Sequence, residues 1–344
     1  MRVLIVGAGG FLGTRLARAL LARGSLVGPS GRAEPISELV LADRRAPPPP
    51  VLPAGCGIRV TTAQTDVADP AAPAALLGQG VDSVFPLAAT LTVESETDFA
   101  RGLAVNLHGL LALLEALRLR GNAPRLVFTS SLAAFGGPLP EVVGDGVPLT
   151  PQTSYGTQKA IGELLIDDYS RHGFVDGRCL RLPIVMTRHA GADAPPPGTS
   201  VPTVSGAIAA IVGDRLLGRD VVCPLAPHTR IAAASAERVV DALIAIHDLP
   251  AAAFGHTRAM NLPSLSLELA ELADASARAA EAAGVRVGTQ RWAPDPRFQV
   301  AVDQWPKRFE SARAARAGIV ADRSADEIVA AYLRDNPRAI GPRA

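Results

Sequence analysis

The chain has 344 residues with 34 basic and 33 acidic side chains, a net charge of +1 and only 4% aromatic residues. Dispersed charge and few aromatics argue against a nucleic-acid-binding surface. No apolar stretch of about 18 residues runs without polar interruption, so neither a signal peptide nor a membrane span is expected.

The chain begins with the pattern strand, glycine turn, helix. Residues 2–6 (RVLIV) are apolar after the initial arginine, as in a strand buried on both faces, and residues 7–13 (GAGGFLG) lead into a largely apolar helix over 14–23. Glycines at this spacing permit a tight turn and let backbone N–H groups approach a pyrophosphate at the helix N-terminus. The cofactor contacts predicted in this turn are Gly7, Gly10, Phe11 and Leu12.

A second strand over residues 38–42 ends in Asp43, followed by Arg44 and Arg45. A carboxylate at this strand tip would bond the adenine ribose hydroxyls and repel a 2′-phosphate, which favours NAD. Either arginine could hold a 2′-phosphate, so NADP stays open as an alternative.

Strands and helices continue to alternate through the middle of the chain. A third strand over 57–63 leads to Asp66 and Val67, where the chain should meet the adenine edge. The elements expected next are a fourth strand (81–89), a long amphipathic helix (98–120) and a fifth strand (125–131) that ends in hydroxyls at Ser131. Because the carboxyl ends of parallel strands line the ligand crevice, Ser131 should face the reacting group.

Tyr155 and Lys159 form the most informative pair, because the chain has only two lysines and three tyrosines. In a helix over 155–171, a spacing of four residues places the phenol and the ammonium on one face, one turn apart. A neighbouring ammonium favours the phenolate and lowers the pKa of the phenol, as general acid–base chemistry requires.

The alternating pattern predicts an α/β fold, a Rossmann-type doubly wound parallel sheet with a smaller C-terminal substrate-binding lobe. The NAD-binding domain is expected in residues 1–185 with part of the C-terminal half, and the lobe mainly in 186–344. The C-terminal segments assigned to the lobe are 204–217, the region around Ile231, 236–247, 259–262, 266–283 and 325–334. Cys56, Cys179 and Cys223 have no metal-ligand spacing, so reduced thiols, no metal site and a cytoplasmic location are expected.

These motifs together resemble the extended short-chain dehydrogenase/reductases, also called NAD-dependent epimerase/dehydratases, and within them the D-erythronate dehydrogenase-like proteins. The residues that carry the resemblance are Gly7-x-x-Gly10-x-x-Gly13, Asp43, Asp66-Val67, Leu87-Ala88-Ala89, Asn106, residues 129–136, Tyr155-x-x-x-Lys159, Arg181-Leu182-Pro183 and residues 305–309. The likeness covers nearly the whole chain.

The resemblance implies that Tyr155 is the acid/base, that Lys159 lowers its pKa and bonds the nicotinamide ribose, and that Ser131 polarises the substrate oxygen. It also implies a homodimer formed through the helices at 98–120 and 155–171. The further cofactor contacts that it implies are Leu87, Ala88, Ala89, Asn106, Pro183 and Ile184.

Four residues are candidates for contact with the substrate: Thr92, Leu132, Arg188 and Arg230. The two arginines could hold a carboxylate, since a planar guanidinium suits one, although either could equally be a solvated surface residue. The chain departs from its relatives at Pro86, where they usually have histidine, and in the segment after Arg188.

The predicted function is NAD-dependent oxidation of a secondary alcohol in a small polyhydroxy acid such as D-erythronate, or the reverse reduction. One alternative is epimerisation of a nucleotide-diphospho-sugar, which the altered segment after Arg188 disfavours. Another is a protein that senses NAD(P) without turnover. Such proteins can lack the tyrosine and the lysine, whereas this chain keeps both.

Overall fold

The computed structural model describes residues 1–78, 80–186, 203–337 and 339. Its strands, in chain order, are β1 (Arg2–Val6), β2 (Ser25–Val27), β3 (Ala33–Pro35), β4 (Glu38–Asp43), β5 (Arg59–Gln64), β6 (Ser83–Pro86), β7 (Arg125–Ser131), β8 (Asp176–Leu182), β9 (Ile184–Met186), β10 (Val221–Cys223), β11 (Arg230–Ser235), β12 (Ala259–Asn261), β13 (Leu265–Glu268) and β14 (Gln290–Trp292).

The α-helices connect and cover these strands. In chain order they are α1 (Phe11–Arg23), α2 (Ala72–Leu77), α3 (Thr92–Thr97), α4 (Phe99–Leu103), α5 (Gly109–Arg120), α6 (Ser154–Arg171), α7 (Val204–Ala210), α8 (Gly213–Leu216), α9 (Ala236–Asp248), α10 (Leu269–Ala283), α11 (Pro296–Asp303), α12 (Ala312–Arg316) and α13 (Ala325–Asp335). A π turn (Ala104–His108) joins α4 to α5, and a 3₁₀ turn (Leu132–Ala134) follows β7.

Seven parallel strands form the central sheet, in the order β12-β8-β7-β6-β1-β4-β5. Strands β4 and β5 lie on one side of β1, and the later strands β6, β7, β8 and β12 lie on the other side. This reversal places a crevice at the carboxyl ends of β1 and β6, where ligands bind in doubly wound folds. The predicted α/β fold with a parallel Rossmann-type sheet is therefore confirmed.

Strand β1 shows why its sequence is apolar from Val3 to Val6. Val3 and Ile5 pack with α1 and α9 on one face of the sheet, whereas Leu4 and Val6 pack with α2, α5 and α6 on the other. A strand covered on both faces needs apolar side chains at every position.

A third apolar cluster forms the core of the C-terminal lobe. It joins β9, β11 and β13, which make a small sheet of their own, to α8, α10 and α13. Two of the segments assigned to this lobe from the sequence lie elsewhere. Strand β12 is an edge strand of the central sheet, and α9 covers that sheet beside α1.

The helix predicted over 98–120 is present but is not uniform. Asp98 caps α4, and the π turn interrupts the helical stretch Phe99–Arg120. By length and composition this stretch could cross a membrane, although no such span is expected from the uninterrupted apolar runs in the sequence. Here one face of it is part of the core, because Leu110, Leu113, Leu114 and Leu117 are buried against the sheet. The core helices of soluble proteins can be equally long and equally apolar.

Candidate active site

A cavity of about 850 Å³ runs along the carboxyl ends of the central strands. Its walls include the ends of β1, β4 and β7 and the segments that follow β5, β6 and β8. The C-terminal lobe closes the other side with Thr203, Val204, Ser205, Phe298, Ala301 and Trp305. Its volume is at the upper end of the range for small-molecule sites, so a cofactor and a small substrate both fit.

The glycine turn after β1 allows three backbone segments to approach one another. Gly7 has a φ of +87°, and a Cβ there would lie 2.5 Å from the backbone nitrogen of Ala88. A Cβ on Gly13 would lie 2.2 Å from the carbonyl oxygen of Gly7. Only glycine fits at both positions. The N-terminus of α1 can thus approach a pyrophosphate closely, so the residues present fit a dinucleotide. Gly7, Gly10, Phe11 and Leu12 all line the cavity.

Asp43 lies at the end of β4, where the adenine ribose is expected. Its Oδ2 accepts a hydrogen bond from the backbone N–H of Gly9 at 2.9 Å. The carboxylate therefore adjoins the glycine turn and lines the cavity. This position agrees with the predicted ribose contact and leaves a second carboxylate oxygen for a ribose hydroxyl.

Asp66 lines the same end of the cavity and forms an ion pair that the sequence did not reveal. Arg101, on α4, places its Nη2 atom 3.1 Å from Asp66 Oδ2. The backbone N–H of Ala68, together with Arg101, lowers the pKa of Asp66. Arg101 also lines the cavity and adds to the positive charge there, but nothing in the sequence connects it with a residue 35 positions away.

Tyr155 and Lys159 lie on α6 and face the cavity together with Ser131. Lys159 is only 3% exposed. Its Nζ donates to the carbonyl oxygen of Thr129 at 2.8 Å and lies 5.6 Å from the centre of the Tyr155 ring. Burial lowers the pKa of Lys159 to about 8, because the ammonium loses water that would solvate its charge. Burial thus makes the Lys159 ammonium easier to deprotonate than that of an exposed lysine.

The start of α6 packs directly on the 3₁₀ turn that follows Ser131. The Ser131 hydroxyl accepts the backbone N–H of Ala133 at 3.1 Å and so caps this turn. A Cβ at Gly156 would lie 1.9 Å from the carbonyl oxygen of Ala133. Glycine next to Tyr155 thus brings the two segments that carry the serine and the tyrosine into backbone contact.

Asn106 lies beneath the cavity rather than in its wall. From the π turn its Oδ1 accepts the Thr90 N–H at 2.9 Å, and its Nδ2 donates to Gln158 Oε1 at 2.7 Å. Thr90 does line the cavity, and Gln158 precedes Lys159. Asn106 and Lys159 also share a smaller cavity of about 30 Å³. Asn106 therefore connects the segment after β6 with α6.

The other predicted contacts divide into three groups. Those that line the cavity are Val67, Leu87, Ala88, Ala89, Pro183, Ile184, Thr92 and Leu132. Arg230 lies outside its wall, because the side chain pairs with Glu268 across the ladder between β11 and β13. Arg188 lies outside the described residues.

Residues 3–219 match the family described as NAD dependent epimerase/dehydratase. D-erythronate dehydrogenase from Cupriavidus necator is 41% identical to the chain over 337 residues, which cover 97% of this chain and 98% of that protein. The chain belongs to the NAD-dependent epimerase/dehydratase family. The family resemblance seen in the motifs and the prediction of NAD as cofactor are thereby confirmed.

Other relatives also match nearly the whole chain. D-erythronate dehydrogenase from Haemophilus influenzae is 32% identical, with 97% of this chain and 99% of that protein covered. A crystal structure described as a nucleoside-diphosphate-sugar epimerase from Agrobacterium tumefaciens superposes with a TM-score of 0.85 at 34% identity, covering 98% of this chain and 94% of that one. A GalE-like L-threonine dehydrogenase from Cupriavidus necator, in its holo form, has a TM-score of 0.78 at 24% identity, covers 97% of this chain and 99% of that one, and shows the shared fold alone.

Proposed function

We propose that the protein is an NAD-dependent dehydrogenase that oxidises a secondary alcohol of a small polyhydroxy acid such as D-erythronate, or reduces the corresponding ketone. The observation that carries the proposal is that Ser131, Tyr155 and Lys159 line the same cavity as the glycine turn. The two D-erythronate dehydrogenases that match almost the whole chain support the substrate class.

In the proposed reaction Tyr155 takes the proton of the substrate hydroxyl. Bound NAD supplies the hydride acceptor. The Ser131 hydroxyl, on the same wall, holds the substrate oxygen next to the phenol. Lys159, whose pKa is lowered to about 8 by burial, supplies a positive charge near the phenol and favours its deprotonated form.

The residues that line the cavity support the proposed cofactor contacts. The backbone of residues 7–13 would hold the pyrophosphate, Asp43 the adenine ribose, and Asp66 with Val67 the adenine edge. Pro183 and Ile184 would border the nicotinamide.

The proposal is tested with purified protein, NAD and D-erythronate, by following NADH absorbance. A panel of other sugar acids and L-threonine, the substrate named for more distant relatives, runs in parallel. We expect NADH to form with at least one polyhydroxy acid, and Lys159→Met to lower that rate sharply. NADH formation with L-threonine alone would assign a different substrate class.

Epimerisation of a nucleotide-diphospho-sugar is the second candidate, favoured by the description of the Agrobacterium tumefaciens structure at 34% identity. An epimerase returns its hydride to the sugar, so it interconverts substrates without net NADH. Conversion of UDP-sugars, followed by chromatography, together with no NADH from any sugar acid, would favour this candidate over the dehydrogenase.

We further propose a cytoplasmic homodimer. Phe99, Leu111 and Leu164 are exposed apolar side chains on the helical stretch Phe99–Arg120 and on α6, which suits contact with a second copy. The three cysteines are free thiols, in keeping with a reducing compartment. Light scattering should give a dimer at micromolar concentration, and Leu164→Arg should weaken it. A monomeric wild type would contradict this proposal.

A further inference from the structure

A buried ion pair lies behind the catalytic residues. Glu163, on α6, is 3% exposed, and Arg181, on β8, is 5% exposed. The guanidinium donates to both carboxylate oxygens, with Nη2 at 2.8 Å from Oε2 and Nε at 3.0 Å from Oε1. The Ser130 hydroxyl donates to the same carboxylate. Glu163 is thus fully occupied by partners from two strands.

Arg181 extends this contact into the segment between β7 and α6. Its Nη1 donates to the carbonyl oxygen of Asp145 at 3.1 Å, and its guanidinium lies 5.2 Å from the centre of the Phe135 ring. The pair therefore joins β7, α6, β8 and the segment before α6 at one buried point.

The position of the pair relates it to the reaction. Tyr155, Lys159 and Glu163 are spaced by four residues and so lie along one side of α6. Ser130, the hydroxyl donor to Glu163, is the neighbour of Ser131. Strand β7, which carries Ser131, is therefore hydrogen-bonded to the Glu163 carboxylate through Ser130. Helix α6, which carries Tyr155 and Lys159, contains Glu163 itself.

Stability alone does not explain such a pair. The desolvation of two buried charges offsets most of their attraction, and apolar replacements of both partners are often neutral or stabilising. A directional, bidentate contact does restrict geometry, since it fixes both the distance and the angle between the helix and the strand.

The charge of Glu163 also acts on Lys159. The groups that face this lysine are Glu163 and Tyr155 on its own helix, Cys179 on β8, and the Thr129 carbonyl on β7. Glu163 favours the ammonium form and opposes the effect of burial.

We propose that Glu163, held by Arg181, is a positioning residue for the reaction: it fixes Ser131 relative to Tyr155 and keeps a negative charge next to Lys159. This inference rests on the proposed function for its kinetic consequences, but the charge effect can be measured without turnover.

The electrostatic half is tested by NMR of protein carrying ¹³C-labelled lysine. The chain has only Lys159 and Lys307, so Lys307→Arg assigns the two signals. In Glu163→Gln the titration of Lys159 should move to lower pH, because the ammonium loses a neighbouring negative charge. An unmoved titration overturns this half of the proposal whether or not the protein turns over a sugar acid.

The geometric half is tested by kinetics of Glu163→Gln, Arg181→Met and the double variant, after wild-type activity has been established. We expect kcat to fall by about ten- to a hundredfold in all three variants, with NADH affinity unchanged. The melting temperature should recover in the double variant relative to Arg181→Met, because no unpaired charge remains buried. Recovery of both melting temperature and kcat in the double variant, or wild-type kcat in Glu163→Gln, would show that the pair is only structural. Absence of activity in the wild type would instead count against the proposed function.

Discussion

Replacement of Gly156 by alanine should move Tyr155 away from Ser131. A Cβ there would lie 1.9 Å from the carbonyl oxygen of Ala133, and real Cβ atoms essentially never come closer than 3.0 Å. The start of α6 must therefore move by about 1 Å, and Tyr155, the adjacent residue, moves with it. A misplacement of this size costs about a hundredfold in rate, and an overpacked contact costs about 1–3 kcal/mol of folding stability.

The assay compares kcat/KM with the polyhydroxy acid identified for the wild type, the dissociation constant of NADH and the melting temperature. We expect kcat/KM to fall about a hundredfold and the melting temperature to drop by a few degrees, while NADH binding stays unchanged because the glycine turn is not touched. Gly146→Ala is the matched control, since its Cβ would have no neighbour within 4 Å. A folded Gly156→Ala protein with wild-type kcat/KM would refute the argument that this glycine sets the distance between Ser131 and Tyr155.

Three further predictions concern proton transfer, cofactor choice and acid stability. Tyr155→Phe should abolish turnover and still bind NADH, since it removes the hydroxyl that transfers the proton and leaves the glycine turn intact, and any retained activity would rule out the mechanism. Asp43→Ala should reduce a preference for NAD over NADP of about ten- to a hundredfold, equivalent to roughly 1–3 kcal/mol, as measured by kcat/KM for both cofactors. An unchanged preference would place the ribose elsewhere. Burial lowers the pKa of His247, which bonds Ser83 and Asp248 at 2.8 Å each. The neutral ring therefore stabilises the fold above pH 6.5, and this contribution is lost as pH falls below that value. Urea unfolding at pH 7.5 and 5.5 should accordingly show that the free energy of unfolding falls less at the lower pH in His247→Gln than in the wild type. Equal decreases would contradict this role of His247.

The features that the sequence predicted well are those encoded locally. The apolar run of β1, the glycine turn and the spacing of Tyr155 and Lys159 each lie within a few residues, so pattern and chemistry can be interpreted together. The doubly wound sheet follows because strands and helices alternate along the chain.

The features that could not be predicted from the sequence depend on residues that are far apart in the chain. Arg230 looked free to hold a carboxylate, but Glu268 lies directly opposite on β13 and pairs with it. Arg101 lies within an apolar helix pattern, and only the fold brings it to Asp66. The π turn was equally hidden, because Asn106 faces Thr90 only once the segment after β6 has packed on the helix.

The edge strand β12 has a consequence for how the protein is made. Residues 1–185 carry the glycine turn and α6, yet the strand that completes their sheet and the helix α9 that covers it come from beyond residue 235. While the ribosome is still synthesising that half, β8 has an unpaired edge, and the part of the sheet face that α9 covers beside α1 is exposed, which is the arrangement that promotes strand-to-strand aggregation. We therefore expect residues 1–185 not to fold as an independent unit, and a fragment that ends near residue 185 should require a chaperone or the remainder of the chain to stay in solution.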